Sequence, residues 1–271
     1  MAQAKRQSIP PRRRRWLQFS LRTLLALTTV VAVFLGWLGW RLKIARDQAE
    51  AVAAIQDTGA YASYDFEMEA LNEESSKFGF GSITPVQPDP PAPAWLCQLV
   101  GIDFFADVVY VDAERGPSAG RPGAVGSEPT ITDREMAHIA TLSDLRFLHL
   151  GGQTQVTDAG VAYVSRLTEL EKLYLNDTKI SDAGTTYLRP LKNLVFLGLS
   201  GTQVSDAGLV HLAGLTKLKQ LVLANTNVSD AGLRHLEGLK SLGMLSLEKT
   251  RVTDEGVEKL QQALPNCRID Y

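Results

Sequence analysis

The sequence predicts an α/β solenoid, with parallel strands on a concave face and short helices on a convex one, preceded by one transmembrane helix. Three observations predict it. Aspartates recur at Asp133, Asp158, Asp182, Asp206, Asp230 and Asp254, one step of 25 residues and then four of 24. Each interval carries the same pattern of leucines. Near the N-terminus, 18 residues between Arg22 and Arg41 hold no charge. The composition agrees: 271 residues, 45% apolar and 21% charged, suit a folded chain of one or two domains. With 28 basic against 30 acidic residues there is no global basic field, so nucleic acid is not an expected partner. Two cysteines exclude a disulfide-rich scaffold and a zinc site built from cysteines.

The uncharged run, residues 23–40, spans about 27 Å as a helix, close to the roughly 30 Å of a hydrocarbon core. Thr28 and Thr29 can return their hydroxyls to the helix backbone. Trp16 flanks one end, and Trp37 and Trp40 the other, where amphipathic rings favour the headgroup zone. Lys5, Arg6, Arg12, Arg13, Arg14, Arg15 and Arg22 precede the run; Arg41, Lys43 and Arg46 follow it. That bias makes residues 1–22 a cytoplasmic tail and puts the rest of the chain outside, in a single-pass cell-membrane protein whose lipid contact is residues 23–40. Two export readings compete: cleavage near Ala49-Glu50-Ala51, which would release a soluble protein, and a twin-arginine signal at Arg13-Arg14-Arg15-Trp16-Leu17. Both also place the repeats outside.

The L-x-x-L-x-L frame reads Leu145/Leu148/Leu150, Leu170/Leu173/Leu175, Leu194/Leu197/Leu199, Leu218/Leu221/Leu223 and Leu242/Leu245/Leu247. Thr178, Thr202, Thr226 and Thr250 follow, and each new unit opens on Ser/Thr-Asp-x-Gly. These motifs resemble the leucine-rich repeat family over residues 131–271, with the opening similar to its cysteine-containing subclass. The resemblance implies a solenoid fold and no particular partner.

Within each unit the alternation turns the leucines inward and the intervening residues outward, with strands about 4.8 Å apart. Val156, Ile180, Val204, Val228 and Val252 close the turn. Ser/Thr-Asp then starts a helix, the hydroxyl or carboxylate taking unpaired backbone N–H groups. Leu209, Leu212, Leu215 and Leu218 continue the core. Gly160, Gly184, Gly208, Gly232 and Gly256 are expected to let neighbouring helices stack closely. At the C-terminal end Leu264-x-x-Cys267-x-Ile269 takes the frame as a cap, with Pro265 suiting an edge strand. At the other end Val108-x-x-Val111-x-Ala113 resembles a further strand.

Residues 41–113 read as a juxtamembrane helix (Arg41 to Gln56), a strand, a Pro-rich spacer (Thr84 to Ala94) and this cap. In the strand, Ala60, Ala62, Tyr64, Phe66 and Met68 alternate with Tyr61, Ser63, Asp65, Glu67 and Glu69. Residues 114–130 read as a flexible loop, rich in Gly and Pro. This order of segments resembles bacterial single-pass leucine-rich repeat proteins.

No phosphate-binding loop, zinc-protease or nucleophile-elbow motif is present, so no catalytic residue, cofactor or metal is expected. His138, His211 and His235 share one repeat position with Tyr163, Tyr187 and Lys259 and read as a surface ladder. The aspartates read as helix caps. Cys97 and Cys267 lie at opposite ends of the stack, too far apart for a disulfide.

The concave face remains. Its outward positions are Phe147, His149 and Gly151; Lys172, Tyr174 and Asn176; Phe196, Gly198 and Ser200; Gln220, Val222 and Ala224; Met244, Ser246 and Glu248. Phe147, Tyr174, Phe196, Val222 and Met244 are expected to form an apolar strip like the core of a protein interface. Of these positions Phe147, His149, Lys172, Tyr174, Asn176, Phe196, Gln220, Val222, Met244, Ser246 and Glu248 are the expected partner-binding set. The resulting expectation is a non-enzymatic recognition protein of a bacterial cell envelope whose partner is another protein. An intracellular adaptor of the ubiquitin-ligase receptor type, implied by the repeat subclass, is the alternative.

Overall fold

The computed structural model describes residues 21–65, 106–113 and 130–271, with isolated positions at 92, 93, 97 and 102. The basic tail, the strand residues beyond Asp65, most of the Pro-rich spacer and the 114–129 loop lie outside the described residues. The chain divides into two compact units, residues 1–43 and 44–271.

Helix α1, Leu21–Asp57, contains the uncharged run. It is long and apolar enough to cross a membrane, and a signal sequence at this position passes the same test. Leu25, Val30, Val33, Phe34 and Trp40 are all more than half exposed. The hydroxyls of Thr28 and Thr29 both donate to the carbonyl of Leu25 at 2.9 Å, so neither is left bare in the apolar run.

The larger unit is one eight-stranded sheet in sequence order: β1 (Tyr61–Tyr64), β2 (Val108–Asp112), β3 (Phe147–His149), β4 (Lys172–Tyr174), β5 (Phe196–Gly198), β6 (Gln220–Val222), β7 (Met244–Ser246) and β8 (Arg268–Asp270). All neighbours from β2 onward are parallel, and β1 runs antiparallel to β2. The middle leucines pair in register, Leu148 with Leu173, Leu197, Leu221 and Leu245 in turn. All five are fully buried. Short helices return the chain between strands: α2 (Met136–Ile139), α3 (Asp158–Val164), α4 (Asp182–Thr185), α5 (Asp206–Leu209), α6 (Asp230–Leu233) and α7 (Asp254–Ala263). The core is continuous along the stack and takes in Ala51, Val52 and Ile55 from the end of α1. This is a repeat solenoid, in which no unit closes its own core.

The conserved-looking letters of each unit have distinct tasks. Thr178, Thr202 and Thr226 are buried, and each donates its hydroxyl at 2.6 Å to a carbonyl three residues back, that of Leu175, Leu199 or Leu223. Gln153 fills the corresponding place in the first unit. Its Oε1 accepts from the Ile131 N–H at 2.7 Å, joining the loop's return to the stack. Ser181, Ser205 and Ser229 cap their helices by accepting from the N–H two residues on.

The aspartates do something the sequence reading missed: five of the six, all but Asp254, clamp the next unit rather than only their own helix. Asp182 accepts the Ser205 N–H at 2.7 Å and its hydroxyl at 2.6 Å; Asp206 holds Ser229 in the same way. Asp133, Asp158 and Asp230 repeat the contact with Thr157, Ser181 and Thr253. The clamp also explains the glycines. A Cβ on Gly208 would sit 2.6 Å from the Asp182 carboxylate, and Gly160, Gly184, Gly232 and Gly256 face the preceding aspartate equally closely.

Three details differ from the sequence reading. In β1, Ser63 is buried beside Ala62, because the register shifts between Ser63 and Tyr64 and breaks strict alternation. At the C-terminal end Leu245 pairs with Ile269. Ile269 therefore takes the middle leucine's place rather than the last, and the buried Cys267 falls opposite Gly243, not at the middle place that the frame Leu264-x-x-Cys267-x-Ile269 implies. Pro265 stands in the turn before β8 rather than within the strand. Cys97 and Cys267 are both free thiols, and burial pushes the Cys267 pKa up.

Candidate concave-face site

Alternation along each three-residue strand sets the site. The middle residue enters the core, and the residues on either side stand on the opposite face of the sheet. Register then arranges these outward residues into rows. One row runs Tyr110, Phe147, Lys172, Phe196, Gln220, Met244 and Arg268; the next runs Asp112, His149, Tyr174, Gly198, Val222, Ser246 and Asp270. Strand spacing brings rings on adjacent strands into stacking range.

A ring ladder results at the N-terminal half. Tyr110 and Phe147 stack at 4.2 Å with 12° between planes, and Tyr174 stacks on Phe196 at 4.2 Å. Phe147 and Tyr174 join the two pairs at 5.3 Å, and His149 lies 4.7 Å from Tyr174. Tyr61 on β1 closes the end, edge-on to Tyr110 at 6.2 Å. Phe147, Tyr174 and Phe196 are half-buried, keeping part of each ring toward solvent.

Beneath the ladder lies one carboxylate. Asp112 is 4% exposed, accepts the Tyr110 hydroxyl at 2.8 Å and lies 3.6 Å from His149 Nδ1. Burial raises the Tyr174 phenol above its usual pKa, and the nearby Asp112 charge adds to this. Tyr174 is therefore a neutral hydrogen-bonding group at any physiological pH.

The structure brings Phe147, His149, Tyr174 and Phe196 together in the ladder. It places Val222 and Met244 on the same face, with exposed Gln220 between Phe196 and Met244 in their row. Ser246 and Glu248 lie at the far half. Asn176 is turned to the scaffold: its Oδ1 accepts the Ser200 N–H at 2.9 Å and covers Gly198, where a Cβ would meet it at 2.8 Å. Tyr110, Asp112 and Tyr61 were missed. The frame Val108-x-x-Val111-x-Ala113 already implies outward positions for Tyr110 and Asp112. Nothing in the sequence pairs Tyr61 with Tyr110, because β1 joins the sheet antiparallel across residues 66–105.

On the convex side, Arg189 Nε donates to His211 Nδ1 at 3.0 Å, and burial, with the Arg189 charge, lowers the His211 pKa. Among the described residues no group of three or more His, Cys, Asp or Glu side chains converges as a metal site.

No protein-family model matches the chain, and a comparison with curated proteins likewise finds no match. Solved structures do resemble it. Internalin C2 of Listeria monocytogenes is 28% identical over 49% of this chain and 54% of its own, with a TM-score of 0.43. Rad7, solved in complex with Elc1 from yeast, is 22% identical over 51% of this chain and 39% of its own, at 0.44. A leucine-rich repeat protein of Leptospira interrogans is 20% identical over 50% and 45%, at 0.34. The chain thus spans about half or less of the length of each.

Proposed function

We propose that this chain is a membrane-anchored recognition protein of a bacterial cell envelope, binding a protein partner on its concave sheet without catalysing a reaction. The observation that carries the reading is the ring ladder from Tyr110 to Phe196: four strands present stacked, half-exposed aromatics side by side on one face. Such rings remain exposed only at a cost in hydration, and they recover it when a complementary surface covers them. Interfaces place their largest energies on rings of this kind. The apolar run of α1 supports the tether, and the excess of basic residues before it supports an external sheet.

The test is capture of the native partner by full-length protein in detergent. Tyr174→Ala and Phe196→Ala are each expected to weaken capture by about 2 kcal/mol or more, as truncation of interface hot spots does. Arg234→Ala and Lys259→Ala on the convex side should leave it within about tenfold. Loss of capture in the convex variants, with silence in the concave ones, would move the site to the helices.

A further inference from the structure

We infer that the aromatic half of the concave face receives an acidic peptide segment, a carboxylate side chain flanked by apolar ones, with Lys172 as its counter-charge. The inference rests on the concave-face reading above and adds the chemistry of the partner.

Lys172 stands in the middle of the ring ladder. Register puts Phe147 beside it on one neighbouring strand and Phe196 on the other. The side chain is exposed, and among the described residues no carboxylate forms an ion pair with it. The acids that might neutralise it are committed or distant. Asp112 is buried under the Tyr110 hydroxyl and beside His149. Glu171 lies 3.9 Å from Arg146. Glu248 is three strands and four residues away, about 20 Å at ordinary sheet spacing. That exceeds the screening length of about 8–10 Å.

Covering Phe147, Tyr174 and Phe196 therefore means covering, or closely flanking, an ammonium with no counter-charge. A neutral partner would strip water from that charge without replacing it, and a basic one would add repulsion. A carboxylate offsets the loss, and the lowered dielectric that follows docking strengthens the pair. A phosphate-rich ligand fits poorly, because cations on this face are few.

The probe is a random twelve-residue peptide library displayed on phage and selected on the full-length protein in detergent. The pool from the natural sequence should be enriched in Asp or Glu next to aromatic or aliphatic residues. A synthetic peptide from it should bind at least tenfold more tightly than its Glu→Gln or Asp→Asn counterpart. Lys172→Met should erase that tenfold preference, and Lys172→Glu should shift selection toward Lys and Arg. Because Lys172 is exposed, unchanged melting curves are expected for both. A pool without acidic enrichment, a preference that survives Lys172→Met, or no enriched pool at all overturns the inference. The concave-face reading fails separately, if Tyr174→Ala leaves binding of the selected peptides unchanged.

Discussion

The carboxylate of Asp206 shows how much one side chain does in a stack of this kind. It takes two charge-assisted hydrogen bonds from Ser229 in the following unit, while Gly232 leaves room for it. Each such bond contributes about 1.5–3 kcal/mol, more than a neutral one. Asp206 is only half-buried, so solvent screens both bonds, and Asp206→Ala should destabilise the protein by about 2–3 kcal/mol, less than their simple sum but beyond an ordinary helix cap, in thermal or urea unfolding. Gly208→Ala should also destabilise, since its methyl group would press on Asp182. Combined with Asp182→Ala its penalty should shrink, because the clash is gone; strict additivity in that double-mutant cycle would show that carboxylate and glycine are not coupled. Asp230 has its pKa held below the usual carboxylate value by the Thr253 N–H and hydroxyl. A depressed folded pKa gives stability that is present above the unfolded value, near about 3.9, and lost as pH falls through the folded one. Asp230→Asn should flatten the loss of stability below about pH 4, and an acid limb identical to the natural protein's would contradict this.

At the scale of the element, each strand is only three residues long and has no stability apart from its neighbours. Leu221, at the middle of β6, is fully buried between Leu197 and Leu245. Leu221→Ala should cost about 2–5 kcal/mol and shift the whole unfolding transition, not split it; an unmoved melting curve would contradict its place in the core. This spine was legible in the sequence because period and alternation alone set which side chains turn inward. The outward rows followed from the same register, which is why Phe147, Tyr174 and Phe196 could be named in advance. The clamp was not legible, since Ser/Thr-Asp is also an ordinary helix start, and only stacking shows the carboxylate reaching forward. The end pieces escaped for a different reason. Neither the antiparallel entry of β1 nor the shorter spacing before Ile269 repeats anything, so periodicity says nothing about Tyr61 or the place of Cys267.

At the scale of the whole molecule, the question is which side of a membrane the sheet faces. The proposed orientation rests on flanking charge: seven basic residues before the apolar part of α1 and Arg41, Lys43 and Arg46 after it. Basic residues resist translocation, so the proposed topology keeps the side with more of them in the cytoplasm and expects the sheet on the other side. With Cys97→Ser and Cys267→Ala removing the native thiols, a single cysteine at Ser241, exposed on the turn before β7, reports the position of the sheet. A membrane-impermeant maleimide should label Ser241→Cys in intact spheroplasts of a bacterial host. Ser8→Cys, in the basic tail, should label only after lysis. Fractionation of the same cells separates a retained anchor from a cleaved signal: the retained chain sediments with membranes at full length, whereas the cleaved one is shorter and leaves with the soluble fraction. The reverse labelling, Ser8 accessible and Ser241 protected, would put the concave face in the cytoplasm and make its partner an intracellular protein.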